Sequence, residues 1–128
     1  MALNITTIIG ARPQFIKASA VSRAFRNSDK AIKETILHTG QHFDKNMSAI
    51  FFEELGLDKP DFDLGINGGS HAEMTSQMLV KIETILNRQK PDYVLVYGDT
   101  NSTLAGALAA SKLHIPIAHV EAGLRSGN

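Results

Sequence analysis

The chain has 128 residues, 13 Lys plus Arg against 13 Asp plus Glu, and no cysteine. This length fits one domain whose core is large enough to need no covalent staple, and without cysteine there is neither a disulfide nor a thiolate-ligated zinc. Zero net charge speaks against a nucleic-acid partner, no apolar run approaches the ~20 residues of a membrane span, and the Met-Ala-Leu-Asn-Ile start lacks a signal-peptide layout, so the reading is a cytoplasmic globular protein.

Leu3 to Ile9 is rich in β-branched residues and reads as a buried strand. Gly10-Ala11-Arg12-Pro13 follows, with Pro13 suited to the first position of a helix. Ile16, Ala20, Val21, Ala24 and Phe25 then recur at helical spacing. Thr35 to His38 reads as a short second strand, and Thr39-Gly40 turns into a loop. Met47, Ile50, Phe51 and Leu55 form the next helical stripe, with Gly56 as a stop. Phe62 to Ile66 alternates as a weaker third strand, broken by Asn67-Gly68-Gly69. Ser70 and Glu73 match a capping box, and Met74, Met78, Leu79, Ile82, Ile85 and Leu86 trace a long amphipathic helix behind it. After Pro91-Asp92 comes a clear strand, Tyr93 to Tyr97. Gly98-Asp99-Thr100 leads into a helix of small residues, Leu104 to Ala110, able to lie close on a sheet. His114-Ile115-Pro116 introduces a last strand, Ile117 to Val120, ending at Glu121. No internal repeat stands out.

Strands alternating with helices make right-handed βαβ units, hence an α/β fold with a doubly wound parallel sheet. The expected strand order is 3-2-1-4-5. Ligands of such sheets bind beyond the carboxyl ends of the strands where the order reverses, which here falls between the first and fourth strands. Arg12 and Asp99 follow those two strands, and Glu121 follows the fifth. Each has an ordinary explanation too. Asp99 suits a helix N-cap, Arg12 a solvated loop, and Lys17, five residues on, a surface lysine. Yet a cation at a helix start opposes the helix dipole, an arrangement that makes sense if an anion visits. Glu121 directly follows an apolar strand and precedes Ala122-Gly123, which permits close backbone approach. Gln41-His42 falls on the same edge, after the second strand. His38 and His42 are four apart, but Thr39-Gly40 between them argues against a helical metal pair, and a third ligand is lacking. His119 reads as a core residue. There is no G-x-G-x-x-G after the first strand, no P-loop and no G-x-S-x-G elbow.

The blocks Gly10-Ala-Arg-Pro-Gln-Phe-Ile-Lys17, Thr39-Gly-Gln-His42, Gly98-Asp-Thr-Asn-Ser102 with Ala105-Gly-Ala-Leu-Ala-Ala110, and His119-Val-Glu-Ala-Gly-Leu-Arg-Ser126 occur in order. Together they resemble the amino-terminal domain of non-hydrolysing UDP-N-acetylglucosamine 2-epimerases. The resemblance implies that residues 1–128 are the amino-terminal Rossmann-like half of a glycosyltransferase-B-type fold, with a second nucleotide-binding domain outside this chain and substrate in the cleft between the two. It implies an isomerase of polysaccharide biosynthesis that interconverts UDP-N-acetylglucosamine and UDP-N-acetylmannosamine, or a related UDP-acetamido sugar, by eliminating UDP and adding it back, with no cofactor and no metal. By motif match Asp99 and Glu121 would be the acid/base carboxylates and Arg12 and Lys17 would contact the UDP-sugar, while His42, in the loop on the same edge, is a further candidate substrate contact. A further carboxylate would follow soon after Asn128, and the 128 residues alone would not turn over.

Two departures stand out. The usual Gly-Thr-Arg-Pro-Glu opening reads Gly-Ala-Arg-Pro-Gln here, with Ala11 and Gln14. The loop after Gln41-His42 continues Phe43-Asp44-Lys45-Asn46-Met47, longer than the Gln-His-x-x-Met form. That loop serves a regulatory substrate site in some bacterial members, so allosteric activation is not carried over to this chain. Phe51-Phe52 fits either an outward aromatic at a homodimer contact or two core residues. Two other classes compete with the epimerase: a glycosyltransferase of the same build, marked by an acceptor requirement for UDP release, and a non-enzymatic flavodoxin-like binding module. For a receiver-type module, Arg12 and Asn67 after the first and third strands have the wrong polarity for magnesium.

Overall fold

β1, Leu3–Ile9, is a run of apolar and threonine side chains with five consecutive buried residues at its carboxyl end, the signature of a strand covered on both faces. A computed structural model describes residues 3–10, 20–28, 31–39, 61–66, 69–97 and 101–120. Around β1 lie β2 (Ile32–His38), β3 (Phe62–Asp63), β4 (Tyr93–Tyr97) and β5 (Ile117–Val120), all parallel, in the order β3-β2-β1-β4-β5. This is the order expected from the sequence, with the switch between β1 and β4.

Three helical segments are described: α1 over residues 20–26, α2 (His71–Gln89) and α3 (Asn101–Lys112). Met78, Ile82 and Leu86 of α2 and Ala105, Ala109 and Ala110 of α3 bury against Ile8, Leu37, Val94 and Val96 on one face of the sheet. Val21 and Phe25 of α1 pack on the other face with Ile5, Ile9, Ile36, Leu95 and Tyr97. The small residues of α3 do let it lie close: a Cβ on Gly106 would stand 2.8 Å from Ile8 Cδ1 and 3.2 Å from Val96 Cγ1. The helical stripe around Met47 to Leu55 lies outside the described residues.

Two strands are introduced by the same device. Asp92 donates its N–H to the Asn4 carbonyl, and its carboxylate accepts from Asn4 N–H, both at 2.8 Å. Asp61 does the same with Ile36, again at 2.8 Å each way. Both aspartates sit in a Lys-Pro-Asp-aromatic tetrad, Lys59 to Phe62 and Lys90 to Tyr93. The proline has no N–H to leave unpaired at the strand's mouth, and the aspartate satisfies the neighbouring strand's backbone there.

Three expectations are corrected. β2 begins at Ile32 rather than Thr35. The charged pair Lys33-Glu34 looks like loop, but Glu34 lies on the sheet face beneath α1 and accepts hydrogen bonds from Thr7 Oγ1 and Ser22 Oγ (2.6 Å for the latter). β3 is only two residues long, because the Asp63 side chain accepts from Gly65 N–H at 3.0 Å and Gly65 turns away at φ +64. His119 is exposed rather than buried, since β5 is the last strand of the described sheet.

α2 opens with the capping box read from the sequence. Ser70 Oγ accepts from Glu73 N–H at 3.1 Å, and Glu73 Oε1 accepts from Ser70 N–H at 3.0 Å. These hydrogen bonds hold the Glu73 carboxyl below its ordinary range. At the other end the Lys90 N–H donates to Leu86 O from a left-handed conformation, φ 46 and ψ 57. A lysine before proline is poorly suited to that region. Lys90→Gly is therefore expected to stabilise the chain by about 1 kcal/mol in urea denaturation; an unchanged midpoint would show that the strain is relieved elsewhere.

Candidate active site

Four strand ends share one edge. Gly10 follows β1, Thr39 follows β2, Tyr97 closes β4 and Val120 closes β5. Adjacent strands stand about 4.8 Å apart, so the order β2-β1-β4-β5 brings these ends within one ligand's reach. Arg12, Lys17, His42, Asp99 and Glu121 continue from these ends in the sequence, and all five lie outside the described residues.

The described floor of that edge is tightly built. Thr39 Oγ1 and Ser102 Oγ share a buried 2.8 Å hydrogen bond, and Ser102 Oγ also donates to Met78 Sδ at 3.8 Å. Gly10 is wedged against the pair: a Cβ there would lie 2.1 Å from Ser102 Oγ and 2.6 Å from Thr39 Oγ1. No side chain larger than hydrogen fits, so the requirement at this position is close approach rather than a special φ. Thr39 N–H donates to Ile9 O at 3.0 Å, Ile66 N–H donates to Thr39 O at 2.9 Å, and Thr103 Oγ1 donates to the Tyr97 carbonyl. Nothing local in the sequence marks Thr39, Ser102 or Thr103 as partners across the fold. A bond between residues 63 apart has no signature in one sequence.

Beneath this edge the other sheet face is polar in places. His38 is fully buried, and burial depresses its pKa from 6.5 to about 4, with Asp63 on β3 acting weakly in the opposite direction. It is a neutral imidazole at pH 7. The Tyr97 phenol is pushed above its ordinary value by burial first and by the Glu34 charge second. A cavity of about 170 Å³ lies between α1 and β2, lined in part by Ser22, Glu34, Ile36 and Asp61. None of its described lining residues belongs to the carboxyl edge. Among the described residues no three His, Cys, Asp or Glu side chains converge as a metal site, and no described helix is long and apolar enough to cross a membrane.

Fold and edge together define a Rossmann-like α/β domain, the class that takes its ligand at the switch point. The sequence model of the UDP-N-acetylglucosamine 2-epimerase family matches residues 24–128. The UDP-2,3-diacetamido-2,3-dideoxy-D-glucuronate 2-epimerase of Pseudomonas aeruginosa is 66% identical over 126 residues, covering 98% of this chain and 35% of that protein. The crystal structure of the Methanocaldococcus jannaschii UDP-GlcNAc 2-epimerase in complex with UDP-GlcNAc and UDP aligns with TM-score 0.88 and 52% identity over 97% of this chain and 34% of its own. That of the Neisseria meningitidis UDP-GlcNAc 2-epimerase bound to UDP-GlcNAc aligns with TM-score 0.85 and 34% identity, over 98% and 33%. The chain belongs to the UDP-N-acetylglucosamine 2-epimerase family, and it spans about a third of the length of these relatives.

Proposed function

We propose that the whole protein inverts C2 of a UDP-2-acetamido sugar. The family match across residues 24–128 carries this reading. In the proposed path a base takes the C2 proton as the C1–oxygen bond to UDP breaks, leaving a C1=C2 glycal and free UDP. The UDP oxygen then adds back to C1 while an acid returns a proton to C2 from the opposite face. Asp99 and Glu121 are the proposed proton-transfer groups. Two carboxylates on neighbouring strand ends suit such a division of labour, since like charges nearby push their pKa values apart. Arg12 and Lys17 are proposed to hold the diphosphate and His42 to touch the sugar nucleotide. The reading needs no metal or cofactor.

Residues 1–128 are, in this proposal, the amino-terminal domain, with a second nucleotide-binding domain elsewhere in the whole protein and the substrate between them. The same reading makes the protein a cytoplasmic homodimer serving polysaccharide biosynthesis. The Pseudomonas relative is named for a diacetamido glucuronate sugar and the archaeal one for UDP-GlcNAc, so both are the substrates to offer. In D2O the whole protein is expected to place deuterium at C2 of one of them, to form its C2 epimer and to release a little UDP, all without an acceptor. UDP release that requires an acceptor, with no deuterium at C2, would make the protein a glycosyltransferase instead.

A further inference from the structure

Tyr97 and Ser102 bracket the four residues, Gly98 to Asn101, that include Asp99 in the sequence, and both are fastened. Tyr97 is 1% exposed, paired in register with Val120, and its carbonyl accepts from Thr103 Oγ1. Ser102, also 1% exposed, is tied through its hydroxyl to Thr39, which is 0% exposed. Thr39 in turn is bonded through its backbone to the end of β1 and to Ile66. Gly10 closes against both hydroxyls. The ends of β1 and β2 and the start of α3 thus meet at one point. In the sequence these segments lead to Arg12, to His42 and back to Asp99.

A hydrogen bond shielded from water has no solvent partner to exchange with, so breaking it is not repaid by hydration. That makes the distance between the start of α3 and the end of β2 a fixed quantity. Neither hydroxyl is open to a ligand, so the pair does not act by touching one.

We propose that the Thr39–Ser102 hydroxyl pair is a positioning couple for the C2 epimerisation site, setting where Asp99 stands relative to substrate held from the β1 and β2 connections. The inference rests on the epimerase reading above. A group that sets the geometry of proton transfer acts on the chemical step, whereas uniform binding acts on KM.

The test uses the whole protein and follows C2 deuterium exchange with the UDP-sugar that it epimerises. Thr39→Val keeps the side-chain shape and removes the hydroxyl; Thr39→Ser keeps the hydroxyl and removes a methyl. Thr39→Val and Ser102→Ala are each expected to lower kcat on the order of 10- to 100-fold, as misplacement of a reacting group does, while KM stays within about threefold. Thr39→Ser recovers most of kcat. The Thr39→Val/Ser102→Ala double variant is no worse than the poorer single one, as for one shared interaction. If Thr39→Ser is as damaged as Thr39→Val, or Thr39→Val exchanges like wild type, the pair is packing alone and the proposal falls. If Thr39→Val does not fold, Ser102→Ala, which only deletes an atom, decides on the same kcat and KM criteria. Absence of C2 exchange in the wild type removes the epimerase reading, and with it this inference, and is told apart from the other failures because it precedes any substitution.

Discussion

Asp99→Asn in the whole protein is expected to cut C2 deuterium exchange and UDP release together by about 10²- to 10⁴-fold, the usual worth of a positioned acid or base. The substitution separates the two explanations of this residue. Asparagine caps a helix N-terminus as well as aspartate does, so if Asp99 served only to open α3, the variant would keep both stability and exchange. If Asp99 moves a proton, the variant keeps its fold and loses the chemistry. The sheet order adds weight to the second explanation: β4 lies between β1 and β5, so the strand that precedes Asp99 in the sequence ends between the strands that precede Arg12 and Glu121. Glu121→Gln is the companion measurement. Deuterium exchange at the wild-type rate in Asp99→Asn would remove Asp99 from the mechanism and leave Glu121 as the remaining proposed proton carrier.

Whether the sequence shows an element depends on how local its cause is. β1, β4 and β5 have the expected bounds because each is a short run rich in β-branched or apolar residues with a local stop or start signal, Gly10 after β1, Pro91-Asp92 before β4 and Pro116 before β5. α2 is legible because Ser70 and Glu73 are three residues apart and cap each other. β2 is only half legible. Glu34 looks solvent-bound until Thr7 and Ser22, 27 and 12 residues away, are seen to satisfy its carboxylate. Lys90 hides the end of α2, since a left-handed cap usually announces itself as glycine. His119 reads as core because a strand's own residues do not say that it lies at the edge of a sheet. The paired Lys-Pro-Asp-aromatic tetrads were in plain view, but a tetrad becomes a device only when the aspartate's second hydrogen bond is known. Motif order named Arg12, Lys17, His42, Asp99 and Glu121, while Thr39 and Ser102, 63 residues apart, are joined only by the fold.

The second large effect is acid sensitivity rooted in His38. Its imidazole titrates at about 4 in the folded chain against 6.5 when solvated, because burial disfavours the charged ring more than Asp63 favours it. Between those values the unfolded chain binds a proton that the folded chain refuses. Stability therefore rises with pH across this window. It is fully present above pH 6.5 and is lost progressively as the pH falls toward 4, below which both states are protonated and nothing further is lost to this group. The size is about 3 kcal/mol, from roughly 1.4 kcal/mol per pKa unit. Among the described residues the other group lowered from its ordinary value, Glu73, is depressed from 4.5, so its contribution is present above that value and is lost only as the pH falls below it. Among the described residues with a shifted pKa, the interval from pH 6.5 down to 4.5 thus belongs to His38. Urea denaturation of the chain at half-unit pH steps is expected to show the unfolding free energy sloping downward across it. His38→Leu, which fills similar space and cannot titrate, is expected to flatten that slope whatever its effect on stability at pH 7. A slope of wild-type steepness in His38→Leu would assign the acid sensitivity to another group and show that His38 accepts its proton without opening the fold.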